Sequence, residues 1–144
     1  MERARTIAES ESSYFTDQVH NADSVKGYKR IGEELVEQVG GAIHAFCASV
    51  GTAAMLMGVT HILRRLNPPP RIIALEPAST PMISKGISGT HHVEGIFAGA
   101  SSEMNVLGAL ALARELGVGH TVVTVAVDSG LKYLAGDLYG QESS

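Results

Sequence analysis

Ile43-His44-Ala45-Phe46-Cys47-Ala48-Ser49-Val50, followed by Gly51-Thr52-Ala53-Ala54-Met55, is the stretch that decides the fold. Its first eight residues are mostly small and apolar, without polar alternation, which suits a strand buried on both faces of a parallel sheet. Gly51-Thr52 then turns the chain. From there to about Leu66 the apolar residues Met55, Leu56, Val59, Ile62, Leu63 and Leu66 recur at helical spacing. Asn67-Pro68-Pro69-Pro70 stops that helix, because proline cannot donate a backbone hydrogen bond and clashes with the preceding turn.

The same alternation extends in both directions. Upstream, Asp23 or Ser24 is placed to cap a helix running to about Val39, with Tyr28, Ile31, Leu35 and Val39 on one face. Gly40-Gly41 ends it, since glycine tolerates the left-handed conformation a helix terminus needs. Tyr14–Asn21 reads as a short extended lead-in, and Met1–Ser13 as a weakly helical end that frays. Downstream, Arg71–Glu76 reads as a second strand, and Pro77–His92 as loop with at most one short helix. Ser101 or Ser102 caps a further helix to Leu116, carrying Val106, Leu107, Leu110, Ala111 and Ala113, and Gly117 closes it. His120–Val127 is the strongest strand pattern in the chain, and Asp128-Ser129-Gly130 follows its end. Helices alternating with buried strands predict an α/β fold in three layers around a mostly parallel central sheet. Ligands of such sheets sit beyond the strands' C-terminal ends. Gly51–Met55 and Asp128–Gly130 are the loops that qualify.

At 144 residues the chain suits a single domain spanning 1–144. A net charge of −4 argues against a nucleic-acid footprint. No apolar run reaches membrane-spanning length, and the polar first residues do not resemble a signal segment. The one cysteine, Cys47, permits no internal disulfide, so a soluble cytoplasmic protein is the expectation. Within a buried strand Cys47 reads as a small hydrophobe, not a nucleophile. His91-His92 has no second ligand cluster at metal-site spacing, so no metal is expected.

A strand, a turn of small residues and a helix place backbone N–H groups and the helix dipole where they can hold a phosphate. Tight strand–helix turns also need small residues for steric reasons alone, so Ser49–Ala54 leaves both readings open. Read from the residues alone, Ser129 is better taken as the cap of a helix that begins at Gly130.

From Tyr14 to Tyr139 the sequence resembles the cysteine synthase and cystathionine β-synthase family, fold-type II enzymes that depend on pyridoxal 5'-phosphate. The resemblance rests on motifs in family order: Gln18 with Asn21, Gly32-Glu33-Glu34-Leu35 through Gly40-Gly41, Ser49–Met55, Glu76-Pro77-Ala78, His91–Gly95 and Val122–Leu134. It implies part of the large cofactor-binding domain, with the backbone of Gly51, Thr52, Ala53, Ala54 and Met55 and the Thr52 hydroxyl holding the phosphate. It places Ser129 at the pyridine nitrogen, where a neutral partner suits β-elimination and replacement. It places Gln18 near the substrate carboxylate and Gly95 beside the substrate where it joins the cofactor. The implied chemistry is synthesis of L-cysteine from an activated serine and sulfide.

Three departures qualify the resemblance. The lysine that binds the cofactor covalently belongs to the family's N-terminal half. The only local look-alike, Ser24-Val25-Lys26, continues as Gly27-Tyr28 and reads as a solvated helix start; Lys29, Lys85 and Lys132 have no supporting context. No catalytic residue is therefore assigned. Next, Glu94-Gly95-Ile96 runs straight into Phe97-Ala98-Gly99-Ala100-Ser101-Ser102, which looks like a later family turn, so an internal deletion of several tens of residues is expected near 94–99. Last, Ala53, Ala54 and Met55 stand where the family has Gly, Gly and Thr, Glu103 stands where its turn has glycine, and alanine resists the positive φ that glycine permits. The expectation is an incomplete enzyme, inactive alone, with uncovered apolar surface that favours a homo-oligomer or a complementary N-terminal half. A phosphate- or nucleotide-binding module without catalysis is the alternative, with Glu76 near the position of a ribose-binding acid.

Overall fold

The structure is a computed structural model that describes residues 2–10, 13–17, 20–78, 81–86 and 99–129. Its elements run α1 (Glu2–Ser10), α2 (Ala22–Val39), β1 (Ala45–Ser49), α3 (Ala54–Leu63), β2 (Arg71–Leu75), α4 (Met82–Lys85), α5 (Ala100–Leu116) and β3 (Val122–Val123). The apolar run around Cys47 forms the middle strand of a three-stranded sheet of order β2-β1-β3. Both pairings are parallel, from Ala45↔Arg71 to Ser49↔Leu75 on one side and Ala45↔Val122 and Phe46↔Val123 on the other.

Alternate residues of β1 serve two cores. Phe46 and Ala48 join Ile43, Val59 and Leu63, with Ile31, Leu35 and Val36 of α2 packed against them. Ala45 and Cys47 face the other way, onto Leu112 of α5 with Ile73, Leu75, Ala109 and Leu116. Helices α2 and α3 therefore cover one face and α5 the other, the three-layer α/β arrangement expected from the sequence.

The cap of α2 differs from the expectation. Asn21, not Asp23 or Ser24, is the N-cap: its side-chain oxygen accepts the Asp23 N–H at 2.9 Å. Its amide nitrogen donates to the Thr16 carbonyl at 2.9 Å, so one side chain both caps the helix and ties down the preceding segment. That segment is not extended throughout, because Asp17 has a φ of 37° and its carbonyl accepts the N–H groups of His20 and Asn21. At the other end Gly40 is left-handed (φ 59°) and donates to the Val36 carbonyl, as the Gly40-Gly41 pair predicts.

Helices α2 and α3 meet through glycines. A Cβ on Gly58 would stand 2.6 Å from Tyr28 Cβ and 2.7 Å from the Val25 carbonyl oxygen, and one on Gly32 would stand 2.9 Å from Ile62 Cβ. These are closer than packed atoms tolerate.

Two further expectations need correction. Helix α5 begins after Gly99 rather than at a Ser101 or Ser102 cap; Ser102 lies inside the helix and bonds to the segment after β3. A side chain at Gly99 would collide with Asp128, which explains the glycine. The helix buries Ser102, Asn105 and Leu112, while Val106, Leu107 and Leu110 are exposed. The eight-residue strand expected over His120–Val127 pairs only at Val122 and Val123. Beyond them side chains replace the ladder: the Thr124 hydroxyl donates to the Cys47 carbonyl at 2.7 Å, and Asn105 joins β1 to Val125.

Substituting Gly58→Ala is expected to cost about 1–3 kcal/mol, the price of overpacking a close helix contact. Gly27→Ala, on the partner helix α2 but with nothing within 4 Å of its added Cβ, is expected to gain about 0.5–1 kcal/mol. Urea denaturation of the two variants checks both signs.

Candidate functional site

The chain leaves β1 through α3 to reach β2 on one side, then returns through α5 to β3 on the other side of β1. Helices α3 and α5 lie on opposite faces. The carboxyl end of β1 leads into α3 on one face, whereas its neighbour β3 is entered from α5 on the other, and the crevice at the carboxyl ends of these two strands is the usual ligand position of an open α/β sheet.

One wall of the crevice is the turn after β1. Val50 donates to the Leu75 carbonyl at 3.0 Å, which fixes the turn's start against β2. Gly51 and Thr52 are exposed, and a Cβ on Gly51 would meet nothing within 4 Å. Ala53 then takes a left-handed conformation, φ 63° and ψ −7°, as the N-cap of α3. This is the conformation alanine resists, so the turn carries a strain of about 1–2 kcal/mol that glycine would not. Ala54 is buried as the helix begins. Ala53 provides no side-chain cap, and the first turn of α3 holds no acidic residue. Among the described residues, no side chain caps the N–H groups of that turn as Asn21 caps α2.

The other wall is the segment 124–129, held from α5. The Ser102 hydroxyl accepts the N–H groups of Val127 (2.9 Å) and Asp128 (3.1 Å), and it lies 3.0 Å from the Asp128 carbonyl and carboxylate oxygens. Gly99 donates to the Asp128 carbonyl at 3.3 Å. Ser129, the next residue, is exposed. A cavity of about 500 Å³ lies on the α2 face between Tyr28, Ile31, Leu35, Met55, Thr124 and Val125. It links the start of α3 to the segment leading to Ser129.

The fold thus brings Gly51–Met55 and Ser129 to one end of the sheet. Gln18 and Gly95 lie outside the described residues, as do His91, His92, Lys132 and all but Gly99 of the expected junction near 94–99. Glu76 accepts the N–H groups of Ile83 (2.6 Å) and Ser84 (3.0 Å), and hydrogen bonding from Ser84 above all keeps its carboxyl below the ordinary glutamate range. Glu76 therefore anchors α4. Lys26 is an exposed side chain paired with Asp23 at 2.8 Å. That hydrogen bond raises its pKa, the reverse of what an amine nucleophile needs. Burial pushes the Cys47 thiol up, which suits a core residue and not a nucleophile. No group of three or more potential metal ligands occurs among the described residues. Sequence reasoning finds Ser102 only as a candidate helix cap and misses Asn105. The one visible signal is the polarity of Asn105 directly before the apolar run Val106–Ala113.

Residues 1–94 match the family described as "Pyridoxal-phosphate dependent enzyme". The chain belongs to that family. It is 30% identical to the cysteine synthase of Staphylococcus aureus (strain Mu50) over a 179-residue alignment that takes in 96% of this chain and 58% of that protein. Since 96% of a 144-residue chain fills this alignment, about forty of its 179 positions have no counterpart in the chain. Among solved structures, a hydrogen sulfide-producing enzyme from Fusobacterium nucleatum superposes with a TM-score of 0.80 at 26% identity, covering 99% of this chain and 56% of that one. The O-acetylserine dependent cystathionine β-synthase of Helicobacter pylori gives 0.84 at 23% identity, covering 96% and 58%, and shares the fold. The chain thus spans a little over half the length of the relatives it matches. Members of this pyridoxal phosphate-dependent family share its α/β architecture and parallel sheet.

Replacing Ala53→Gly is expected to relieve the left-handed strain and raise stability by about 1 kcal/mol. Chemical denaturation of the variant against the parent reads the change directly.

Proposed function

We propose that this stretch forms the phosphate-holding and ring-nitrogen-contacting part of a pyridoxal phosphate site in a cysteine synthase-like enzyme acting on an activated serine and sulfide. The observation that carries the reading is the uncapped N-terminus of α3, facing the crevice beside Ser129. Its donors suit a phosphate ester: first-turn N–H groups, no acid in that turn, an exposed hydroxyl at Thr52 and open space before Gly51. In this reading the N–H groups of Gly51–Met55 and the Thr52 hydroxyl hold the phosphate, and the Ser129 hydroxyl meets the ring nitrogen. Gln18 lies near the substrate carboxylate, and Gly95 lines the substrate. When bound, the cofactor withdraws the electrons left at the substrate's Cα after deprotonation. A serine at the ring nitrogen is neutral, so it leaves that nitrogen largely unprotonated and favours β-replacement.

The 144-residue polypeptide by itself does not complete the chemistry. Lys26 sits on the surface in a carboxylate pair, and no other lysine here has the context of a cofactor-binding lysine. The forty unmatched positions support an internal deletion near 94–99, within one incomplete domain over 1–144. Exposed Val106, Leu107 and Leu110, together with a β3 that pairs only with β1 among the described strands, support a second copy or a complementary N-terminal half as partner. Solubility in a cytoplasm is part of the same reading, and no described helix is long and apolar enough to cross a membrane.

Borohydride reduction of the polypeptide with pyridoxal phosphate, followed by peptide mass mapping, is expected to show no stoichiometric lysine adduct. O-acetylserine and sulfide are expected to give no cysteine above background. A single adduct at Lys26 with turnover would overturn the reading that this polypeptide needs a partner.

A further inference from the structure

The β1–β3 ladder stops where its geometry allows it to continue. The Thr121 carbonyl accepts the Ala45 N–H at 3.2 Å. Moving four residues along both parallel strands, the corresponding bond would join the Ser49 N–H to the Val125 carbonyl. Those two groups are the ones that Asn105 takes instead. Its side-chain oxygen accepts the Ser49 N–H at 2.6 Å, and its amide nitrogen donates to the Val125 carbonyl at 2.8 Å. A direct ladder bond has been replaced by two bonds with a carboxamide between them. Asn105 is fully buried, and both of its polar atoms are satisfied, so the arrangement carries no penalty for an orphaned group.

The consequence is geometric. The strands are prised apart by the width of an amide at their carboxyl ends, two residues before Gly51 and four before Ser129. One turn earlier on α5, Ser102 takes the N–H groups of Val127 and Asp128 and so fixes the backbone that enters Ser129. A single helix indexes both walls of the crevice.

We propose that Asn105 is the positioning residue that holds the crevice open and sets the Gly51–Met55 turn against Ser129. Its effect on cofactor binding rests on the pyridoxal phosphate reading; the wedge itself does not.

The test compares Asn105→Ala, Ser102→Ala and Leu112→Ala in the 144-residue chain by amide NMR and by titration with pyridoxal phosphate. Leu112 is buried in the same helix but touches neither wall, so it controls for destabilisation alone. Removing the wedge is expected to shift the amide signals of Gly51–Met55 and of Ser129 together and to weaken pyridoxal phosphate about ten-fold, the affinity equivalent of one buried hydrogen bond. Ser102→Ala is expected to move 127–129 and leave 51–55 in place, and Leu112→Ala to move neither. Changes confined to Ser49 and Val125 in Asn105→Ala, with unaltered affinity, would overturn the proposal. If that variant fails to fold, Asn105→Asp decides: it keeps the acceptor for Ser49 and loses the donor to Val125, so the proposal requires Ser129 to shift. Coupled shifts in a parent chain that binds no pyridoxal phosphate would support the wedge and overturn the cofactor reading alone.

Discussion

Strand β1 has no free side, and the rest of the structure is arranged around that constraint. It is paired on both edges, and its Ala45, Phe46, Cys47 and Ala48 are completely buried between helices on the two faces. Burying Phe46 alone is worth about 1.5–3 kcal/mol. A strand so enclosed must carry residues small enough for close helix approach and apolar on both faces, which is what Ala45–Ala48 supply. It also fixes the direction of everything that follows: the turn at Gly51, the start of α3 and the crevice all lie where β1 ends.

The two faces solve the packing differently. On one, α2 and α3 approach through Gly32 and Gly58, and the contact is apolar and close. On the other, α5 brings polar side chains to the sheet, with Ser102 and Asn105 buried because they satisfy backbone groups that a shortened ladder leaves over. That exchange leaves Val106, Leu107 and Leu110 on the outside of the helix. The polar face builds the candidate site, and the displaced apolar residues form the surface attributed to a partner.

The legible parts of the sequence were those with short-range causes. The buried run around Cys47, the Asn67–Pro70 stop and the left-handed Gly40 each follow from a few neighbouring residues. The α2 cap was misplaced because Asn21, Asp23 and Ser24 are all competent caps; only the bond from Asn21 to the Thr16 carbonyl selects one. The apolar pattern at His120–Val127 correctly marked a strand but not its pairing, which a side chain from a distant helix interrupts. Asn105 could not be assigned from sequence, because its role depends on two strands that meet it only in the folded chain. At the candidate site, Gly51–Met55 and Ser129 were legible as motifs, yet Ala53 shows why motif and geometry are separate facts: the turn keeps its left-handed shape without the glycine.

The central claim is that Gly51–Met55 and Ser129 form one cofactor site. Its most direct test is an amide NMR titration of the unmodified chain with pyridoxal phosphate and, in parallel, with pyridoxal lacking the phosphate. The account predicts saturable shifts at Gly51–Met55 and Ser129 with the phosphate ester, and none at Gly51–Met55 with the unphosphorylated ring. Shifts scattered over other surfaces, or equal responses to both compounds, would contradict it.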